Sequence, residues 1–577
     1  MEKNIHTVLR CIQKNKIIIF LLTLSFVFQM GMMLPYAFYQ CRTGLCGYWF
    51  PNGSAAHDDS WTMAIASVAF KSYPFHMPLY SGAILQGYHF LSALIIYIIS
   101  LSGIPLHTIF YGILPLIWFD VVSITLFCLS RMISKNNIFT FLFIFLFFFG
   151  GSFSYLLLLY HRLPIFYPFV MTGRQAIDYF QSMPLAVSLI PFLLSVCYLY
   201  ASKKLSVAPR ALCLIGIVFF AWGSKFYGGY AVAIMLCVFE FLKFLKTKNK
   251  THLLFLFTII FFSIVSVLFF YNPFGNQGSA KSTFIFSPFA LVHSLIEEKN
   301  LIYLPNLTLA RYSLQEHGWG PRLLTIEVFT WILYVTYTFG IRMLGFIYIV
   351  VRLVKRKISL IDISLLSSVF ACLIGGTMFI QRFEWWNTAQ FLDYPKIILS
   401  LYTALGITKF FERKKPIIKV VIIFIVIILS MHNSLQGFLE RFTYKSALVL
   451  STNQLAALSY LKKLPSGSVF TLPFDRFRKT TSIKVEDAID TVYVPVISQK
   501  EMYYSTYHQL DLTFTDYAPR KKIIDKNVFS TPYLIDADYF YINKSNDLYY
   551  KTKFDSNHFM HLFENNDVLI YKRINKK

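Results

Sequence analysis

Long apolar runs separated by short basic clusters fill the first three quarters of the chain, and from residue 435 onward the pattern becomes mixed. The first run, IIIFLLTLSFVFQMGMMLPYA at 17–37, is long enough to cross the ~30 Å hydrocarbon core of a bilayer as a helix. Comparable runs lie near 107–130, 138–160, 183–201, 211–222, 226–245, 252–271, 323–351, 359–380, 388–408 and 417–434, which makes eleven predicted spans. The stretch MMLPYAFYQC after the first run has no small-residue cleavage site, so that run reads as an anchor rather than a removable signal. In the last segment, short alternating runs such as SVFTLPF, DADYFYINK and NNDVLIYKR predict strands. The expected fold class is therefore an all-α polytopic membrane domain over 1–434 followed by a soluble α/β domain over 435–577. No internal repeat is visible, which gives no support to an inverted-repeat transporter.

One run, GAILQGYHFLSALIIYIISL at 82–101, decides the topology. Lys3, Arg10, Lys14 and Lys16 place the N-terminus in the cytoplasm. If 82–101 crosses, the clusters RMISKNN, SKKLSVAPR, KTKNK, VRLVKRK and ERKK all fall outside, against the positive-inside rule; if it does not, all five are cytoplasmic. The run is accordingly predicted to be an interfacial or re-entrant helix. The loops 38–106, 161–182 and 272–322, the first half of 381–396 and the C-terminal domain then share the extracytoplasmic face.

Composition agrees with this layout: 56% of residues are hydrophobic, 18% aromatic and 14% charged, which excludes a soluble globular class. The net charge of +25 could suggest nucleic acid, but the basic residues form short clusters between apolar runs, so membrane topology accounts for them. The Lys-, Asn-, Ile- and Phe-rich composition fits a prokaryotic cell membrane. Cys128, Cys197, Cys213, Cys237 and Cys372 lie in or beside apolar runs, with no metal-ligand spacing. Cys41 and Cys46 in CRTGLC differ, since they could close a small disulfide loop in an oxidising compartment.

Candidate chemistry starts at PNGSAAHDDSW, residues 51–61, where two of only 29 acidic residues stand side by side next to His57. As function, Asp58 or Asp59 at the lipid boundary would take a proton from an acceptor hydroxyl. As structure, the stretch is a solvated turn in which an aspartate caps a helix beginning near Trp61. The following stretch, 71–107, is rich in Pro, Tyr, His and Gly; it could line a groove for an isoprenoid tail and present His76 or His89 to a phosphate. Cations for that phosphate are Arg174, Lys225, Arg322 and Arg382. Lys225 leads, because an ammonium in an apolar setting is costly unless a ligand phosphate or a carboxylate such as Asp178 compensates it. Trp319, Trp385 and Trp386 suit sugar faces, although tryptophan collects at membrane interfaces whatever the function. Asp120, mid-span, is the residue friendliest to an ion-coupled transporter.

An acidic residue in the first outer loop, then a Pro-rich stretch and the apolar helix of YHFLSAL, resembles the GT-C superfamily of integral-membrane glycosyltransferases, in its bacterial form. GIVFFAWGSKFYGGYAV at 216–232 is similar to a glycine-containing turn with a lysine in bacterial members, and LFENNDVLIYKR at 562–573 resembles their last strand. The resemblance implies transfer of a sugar from a polyprenyl-phosphate carrier to a lipid or glycan acceptor at the extracytoplasmic face of the cell membrane. Asp58 or Asp59 would be the base, with His57, His76, His89, Arg174, Lys225, Arg322 and Arg382 as substrate-binding candidates. It requires no cofactor and leaves room for a divalent cation, and it involves no nucleic acid. The chain departs from the pattern at Thr62, where several relatives carry a histidine four residues after the aspartate, and EWWNTAQ does not complete the WWDYG of oligosaccharyltransferases. The alternatives are a transporter or flippase of a lipid-linked sugar, using the same groove without a base, and a membrane anchor whose working part is the C-terminal domain.

Overall fold

The computed structural model describes residues 15–42, 44–51, 53–162, 179, 182–202, 205–271, 283–299, 301–442, 448–473, 491–505, 507–528, 531–546 and 548–574. The first apolar run forms α1 (Lys16–Met33). It leads into a hairpin of β1 (Gln40–Arg42) and β2 (Leu45–Phe50), which Cys41 and Cys46 close as a disulfide across directly paired positions. Helix α2 (Gly53–Val68) then carries HDD in its interior. The helix thus begins eight residues ahead of Trp61, and the capped-turn reading of the aspartates fails: both sit past the first turn, where backbone N–H groups already have intrahelical partners.

The disputed run 82–101 is helical only over α3 (Leu91–Ser100). Ten residues rise ~15 Å, about half the hydrocarbon thickness. The next span, Leu106–Ile133, contains a π-helical turn at Ile109–Ile113 followed by α4 (Leu114–Ile133). The predicted span 138–160 is interrupted: α5 (Asn137–Phe149) stops at Gly150, where the Arg342 guanidinium occupies the space a Cβ would take, and a separate helix covers Ser154–Tyr160. There follow α6 (Met183–Ala201), α7 (Val207–Ser224), α8 (Phe226–Thr247) and α9 (Thr251–Tyr271). The turn expected over WGSKFYGG shrinks to Lys225 alone. Gly223 packs against Phe270 and Gly229 against Trp222 with no room for a side chain, which lets the helices turn back so tightly.

At the far end of this hairpin Arg210 of α7 donates to both oxygens of Glu240 of α8 at 2.7 Å, and Tyr198 and His252 complete a buried cluster on Glu240. α7 and α8 are therefore antiparallel, and Lys225 lies at the opposite end of the bundle from this cluster. After strand β3 (Phe284–Phe286), helices α10 (Ala290–Glu297) and α11 (Pro305–Glu316) precede α12 (Pro321–Phe339). Gly340, at φ +55° against the Gly151 carbonyl, breaks α12 from α13 (Met343–Val354). The bundle ends with α14 (Leu360–Met378), β4 (Phe379–Gln381) paired to β3, α15 (Asp393–Phe411) and α16 (Pro416–Phe442). Among the described residues, nine helical stretches are long and apolar enough to cross a membrane. The other two predicted spans coincide with α5, which is too short, and α15, whose first turn holds a buried Asp393–Lys396 pair at 2.9 Å.

The C-terminal region is α/β. Strand β5 (Leu448–Ser451) leads into α17 (Thr452–Lys463), started by a capping box of Ser451 and Gln454. A four-stranded sheet of β6 (Val469–Thr471), β7 (Tyr539–Asn543), β8 (Phe559–Glu564) and β9 (Val568–Arg573) has the order β6-β7-β9-β8, with only β6 and β7 parallel. Phe470, Phe540, Ile542 and Leu569 fill one face. β5 itself pairs with β2, Tyr48 opposite Leu450 and Trp49 opposite Val449, so the first loop and the C-terminal domain share one end of the bundle. Arg520 reinforces this contact by donating to Ser81 and to the Tyr503 carbonyl while lying over the rings of Tyr80 and Tyr503.

Candidate functional site

The site is assembled on α2. Asp59 is fully buried and accepts a hydrogen bond from the Tyr111 hydroxyl at 2.8 Å. Tyr111 lies in the π-helical turn, a local distortion that re-aims side chains. Asp58 is half-buried, and its carbonyl accepts from Thr62 Oγ1 at 3.0 Å. Neighbours on a helix diverge by about 100°, so the two carboxylates point to different surroundings and do not form a side-by-side cation clamp. Asp58 shares its face with Trp61 and Thr62, at spacings of three and four.

From Trp61 a run of aromatic contacts leads through Tyr88, His89 and Tyr271 to Phe226, the residue after Lys225. The buried Trp61 ring meets Tyr88 edge-on at 5.5 Å, and Tyr88 stacks on His89 at 4.2 Å. Gly87, at φ +68°, turns the chain into this pair, and its N–H is tied to the Tyr271 carbonyl at 2.9 Å. Burial pushes the His89 imidazole well below its ordinary pKa, and the positive charge of Lys225 pushes it further the same way. His89 is therefore neutral near pH 7. The buried Lys225 ammonium lies 5.8 Å from the Tyr227 ring centroid, and the Tyr227 hydroxyl donates to Gln381 Oε1 at 2.9 Å. Arg382 follows directly, its N–H bonded to the Thr283 carbonyl. The loop aspartates, a neutral histidine and a buried ammonium thus occupy one continuous stretch at the end of the bundle that carries the C-terminal domain.

Other candidates lie elsewhere. His76 pairs with Glu501 at 2.8 Å and joins the first loop to the C-terminal domain. Arg322 is exposed at the start of α12, as is Trp319 just before it. Arg174 and Asp178 lie outside the described residues, as do the side chains of His57, Trp385 and Trp386. Asp120, expected to be paired or functional at its depth, sits on the exposed face of α4 with no partner among the described residues. Among those residues no three His, Cys, Asp or Glu side chains cluster as metal ligands would.

Tyr111, Tyr88, Tyr227 and Gln381 escaped sequence reasoning. In a chain that is 18% aromatic, a tyrosine carries no signal until its partner is known. The buried Asp393–Lys396 pair leaves a trace in the sequence, an acid and a lysine three apart inside an apolar run.

No protein-family model matches the chain, and no curated protein matches it. Among solved structures it is similar to the archaeal oligosaccharyltransferase AglB from Archaeoglobus fulgidus in complex with an inhibitory peptide and a dolichol-phosphate. The TM-score is 0.47 at 12% identity, covering 92% of this chain and 70% of that one. It is also similar to the Archaeoglobus fulgidus oligosaccharyltransferase in the apo form, with a TM-score of 0.49 at 11% identity, covering 91% and 69%. With both TM-scores below 0.5, the functional reading rests on this chain's own residues.

Proposed function

We propose that the chain is a GT-C-like glycosyltransferase of the cell membrane, moving a sugar from a polyprenyl-phosphate carrier to a lipid or glycan acceptor at the extracytoplasmic face. The observation that carries this reading is the continuity from the helix of Asp58 and Asp59 through Trp61, Tyr88, His89 and Tyr271 to Phe226, next to Lys225. Transfer needs a base for the acceptor hydroxyl on one side of the sugar and a cation for the departing phosphate on the other. In the proposed step the acceptor oxygen attacks the anomeric carbon with inversion, the carbon–oxygen bond to the phosphate breaks, and Asp58 takes the hydroxyl proton. Asp58 is the better base because it is half-exposed, whereas Asp59 is committed to Tyr111 and holds the helix in place. Lys225 holds the donor phosphate, charged already in the ground state, and neutral His89 can donate a hydrogen bond to it. Arg382, next to the Gln381 that Tyr227 meets, is a further cation for the phosphate, and a divalent cation is not needed for the step. On this reading the N-terminus is cytoplasmic and the C-terminal domain extracytoplasmic.

A transporter or flippase would need polar groups leading to both faces. At the opposite end of the bundle the polar side chains of Arg210, Glu240 and His252 are spent on one another. The test is to reconstitute the purified chain in nanodiscs with a panel of radiolabelled polyprenyl-phosphate sugars and a crude envelope acceptor. Label should move to the acceptor and fail to move with Asp58→Asn. Label that crosses a sealed vesicle unreacted, with Asp58→Asn as competent as the parent, would replace the transferase reading with a flippase.

A further inference from the structure

About 15 Å beyond Asp58 along α2, at 1.5 Å per residue, Val68 borders a cavity of about 590 Å³ between the first loop and the C-terminal domain. Three lysines from three parts of the chain line it: Lys71 just after α2, Lys462 at the end of α17, and Lys500. Lys71 Nζ donates to the Gln499 carbonyl at 2.5 Å, and Lys500 Nζ to the carbonyls of Leu464 and Pro465 at 2.9 and 2.5 Å. These bonds fix the ammonium groups without neutralising them. The cavity also has carboxylates, but each is already engaged. Glu501 holds His76 and the Gly82 N–H, Asp538 holds the Ser468 N–H and hydroxyl, and Asp536 holds Arg573.

With Arg520, four permanent cations line the cavity against three carboxylates, one of which, Asp536, is paired with Arg573, so the lining keeps an excess of positive charge. Burial lowers the pKa of both Lys71 and Lys500, repulsion from Lys462 and from Lys71 respectively adds to it, and Glu501 and Asp538 offset it only in part. An anion entering the cavity would remove that repulsion. Arg520 adds a fourth cation to the lining, and Ser72, Ser466, Ser498 and Gln499 add hydroxyl and amide groups that suit a polyol.

We propose that this cavity binds an anionic saccharide, a sugar phosphate or a uronate, with Lys71, Lys462 and Lys500 around the charged group and the serine and glutamine side chains on the ring hydroxyls. Because both the first loop and the C-terminal domain build it, the ligand would also hold those two parts together. The proposal does not rest on the transferase reading, since its readout is binding at a place remote from Asp58.

The test is calorimetric titration of the full chain in nanodiscs with glucose 1-phosphate, glucuronate, glucose and inorganic phosphate, at low and high salt. At least one of the two anionic sugars should bind saturably, weaken with salt, and outcompete glucose and inorganic phosphate. Lys462→Glu should cost about tenfold or more in affinity, from loss of one charge-assisted contact and gain of a repulsion, while Lys462→Arg retains binding. Lys462 is exposed, so an unchanged melting temperature is expected and would show that the variant folds. Absence of saturable binding by both anionic sugars, equal affinity in Lys462→Glu, or inorganic phosphate binding as tightly as glucose 1-phosphate would overturn the assignment.

Discussion

Asp58 and Asp59 are adjacent and chemically identical, yet their surroundings require opposite responses to substitution. Asp58→Asn keeps size and most hydrogen bonding and removes proton acceptance, so single-turnover rates at saturating donor should fall by ~10²–10⁴-fold, equivalent to about 2.7–5.5 kcal/mol of transition-state stabilisation at 1.36 kcal/mol per decade. Its melting temperature should barely move, because the side chain is half-exposed. Asp59→Ala should do the reverse on stability. Tyr111 is fully buried and would lose the Asp59 Oδ2 that now accepts from its hydroxyl at 2.8 Å, costing about 1–3 kcal/mol for the lost buried hydrogen bond. Tyr111→Phe combined with Asp59→Ala should recover part of that loss, since the hydroxyl that lost this acceptor is removed as well, and a double-mutant cycle over the two positions should show coupling of ~0.5–3 kcal/mol. The assays are label transfer from a polyprenyl-phosphate sugar and thermal unfolding in detergent. The reasoning is refuted if Asp58→Asn retains turnover within a few-fold of the parent. It is equally refuted if Asp59→Asn, with an unchanged melting curve, proves the more damaging to rate.

Lys225→Ala should raise the donor KM by ~10-fold or more and lower kcat less, since the phosphate it meets is already charged in the ground state; an unchanged KM would remove Lys225 from the donor site. His89 gives a pH dependence of defined sign. Its folded pKa lies below the ordinary ~6.5, so below that value the unfolded chain binds a proton the folded chain refuses. Stability should be level above pH 6.5 and fall as the pH drops, by up to about 1.4 kcal/mol per unit; thermal melts of the parent against His89→Asn should differ in that slope, and identical slopes would refute it. The disulfide of Cys41 and Cys46 closes a loop of sequence separation 5, for which removal should cost about 2 kcal/mol on the loop-entropy account. If the hairpin is extracytoplasmic, an impermeant maleimide should label these thiols in intact cells only after external reduction, and failure to label would reverse the proposed orientation.

The helical positions were legible in the sequence because crossing a bilayer demands long apolar stretches, and nine of the eleven predicted spans coincide with helical stretches long and apolar enough to cross. What the runs did not disclose was where helices break. Gly150 and Gly340 end their helices because of what lies across from them, the Arg342 guanidinium and the Gly151 carbonyl, and a hydropathy pattern holds no record of a neighbour from another part of the chain. Lys225 is similar. Seen alone, the glycines of WGSKFYGG suggest a turn between two spans; in the folded chain Gly223 and Gly229 remain helical and accommodate Phe270 and Trp222. The α/β character of the last segment was also readable from alternation. That its first strand would leave the main sheet to pair with β2, some four hundred residues earlier, was not, since β-pairing partners are chosen by register and burial and not by either strand alone.

The same limit separates the two halves of the candidate site. Asp58, Asp59 and Lys225 could be singled out because a charge in an apolar chain is expensive and therefore conspicuous. The residues joining them are aromatic, and in a membrane protein an aromatic ring is cheap to bury and carries no such mark. Trp61, Tyr88 and His89 become meaningful only once the loop after α2 folds back over the end of α7 and α9, held there by the Gly87 N–H on the Tyr271 carbonyl. That bond makes the architecture testable apart from its chemistry. Gly87 is in the left-handed region and faces Phe514 and Thr513 at 3.8 Å, so Gly87→Val puts a β-branched residue where only glycine is relaxed. The strain should displace the Tyr88–His89 pair without touching either aspartate or the lysine. Donor binding and turnover should then fall together while the melting temperature drops modestly, and the His89-dependent slope below pH 6.5 should shrink. Full activity in that variant would mean that the aspartates and the lysine do not work through the bridge between them.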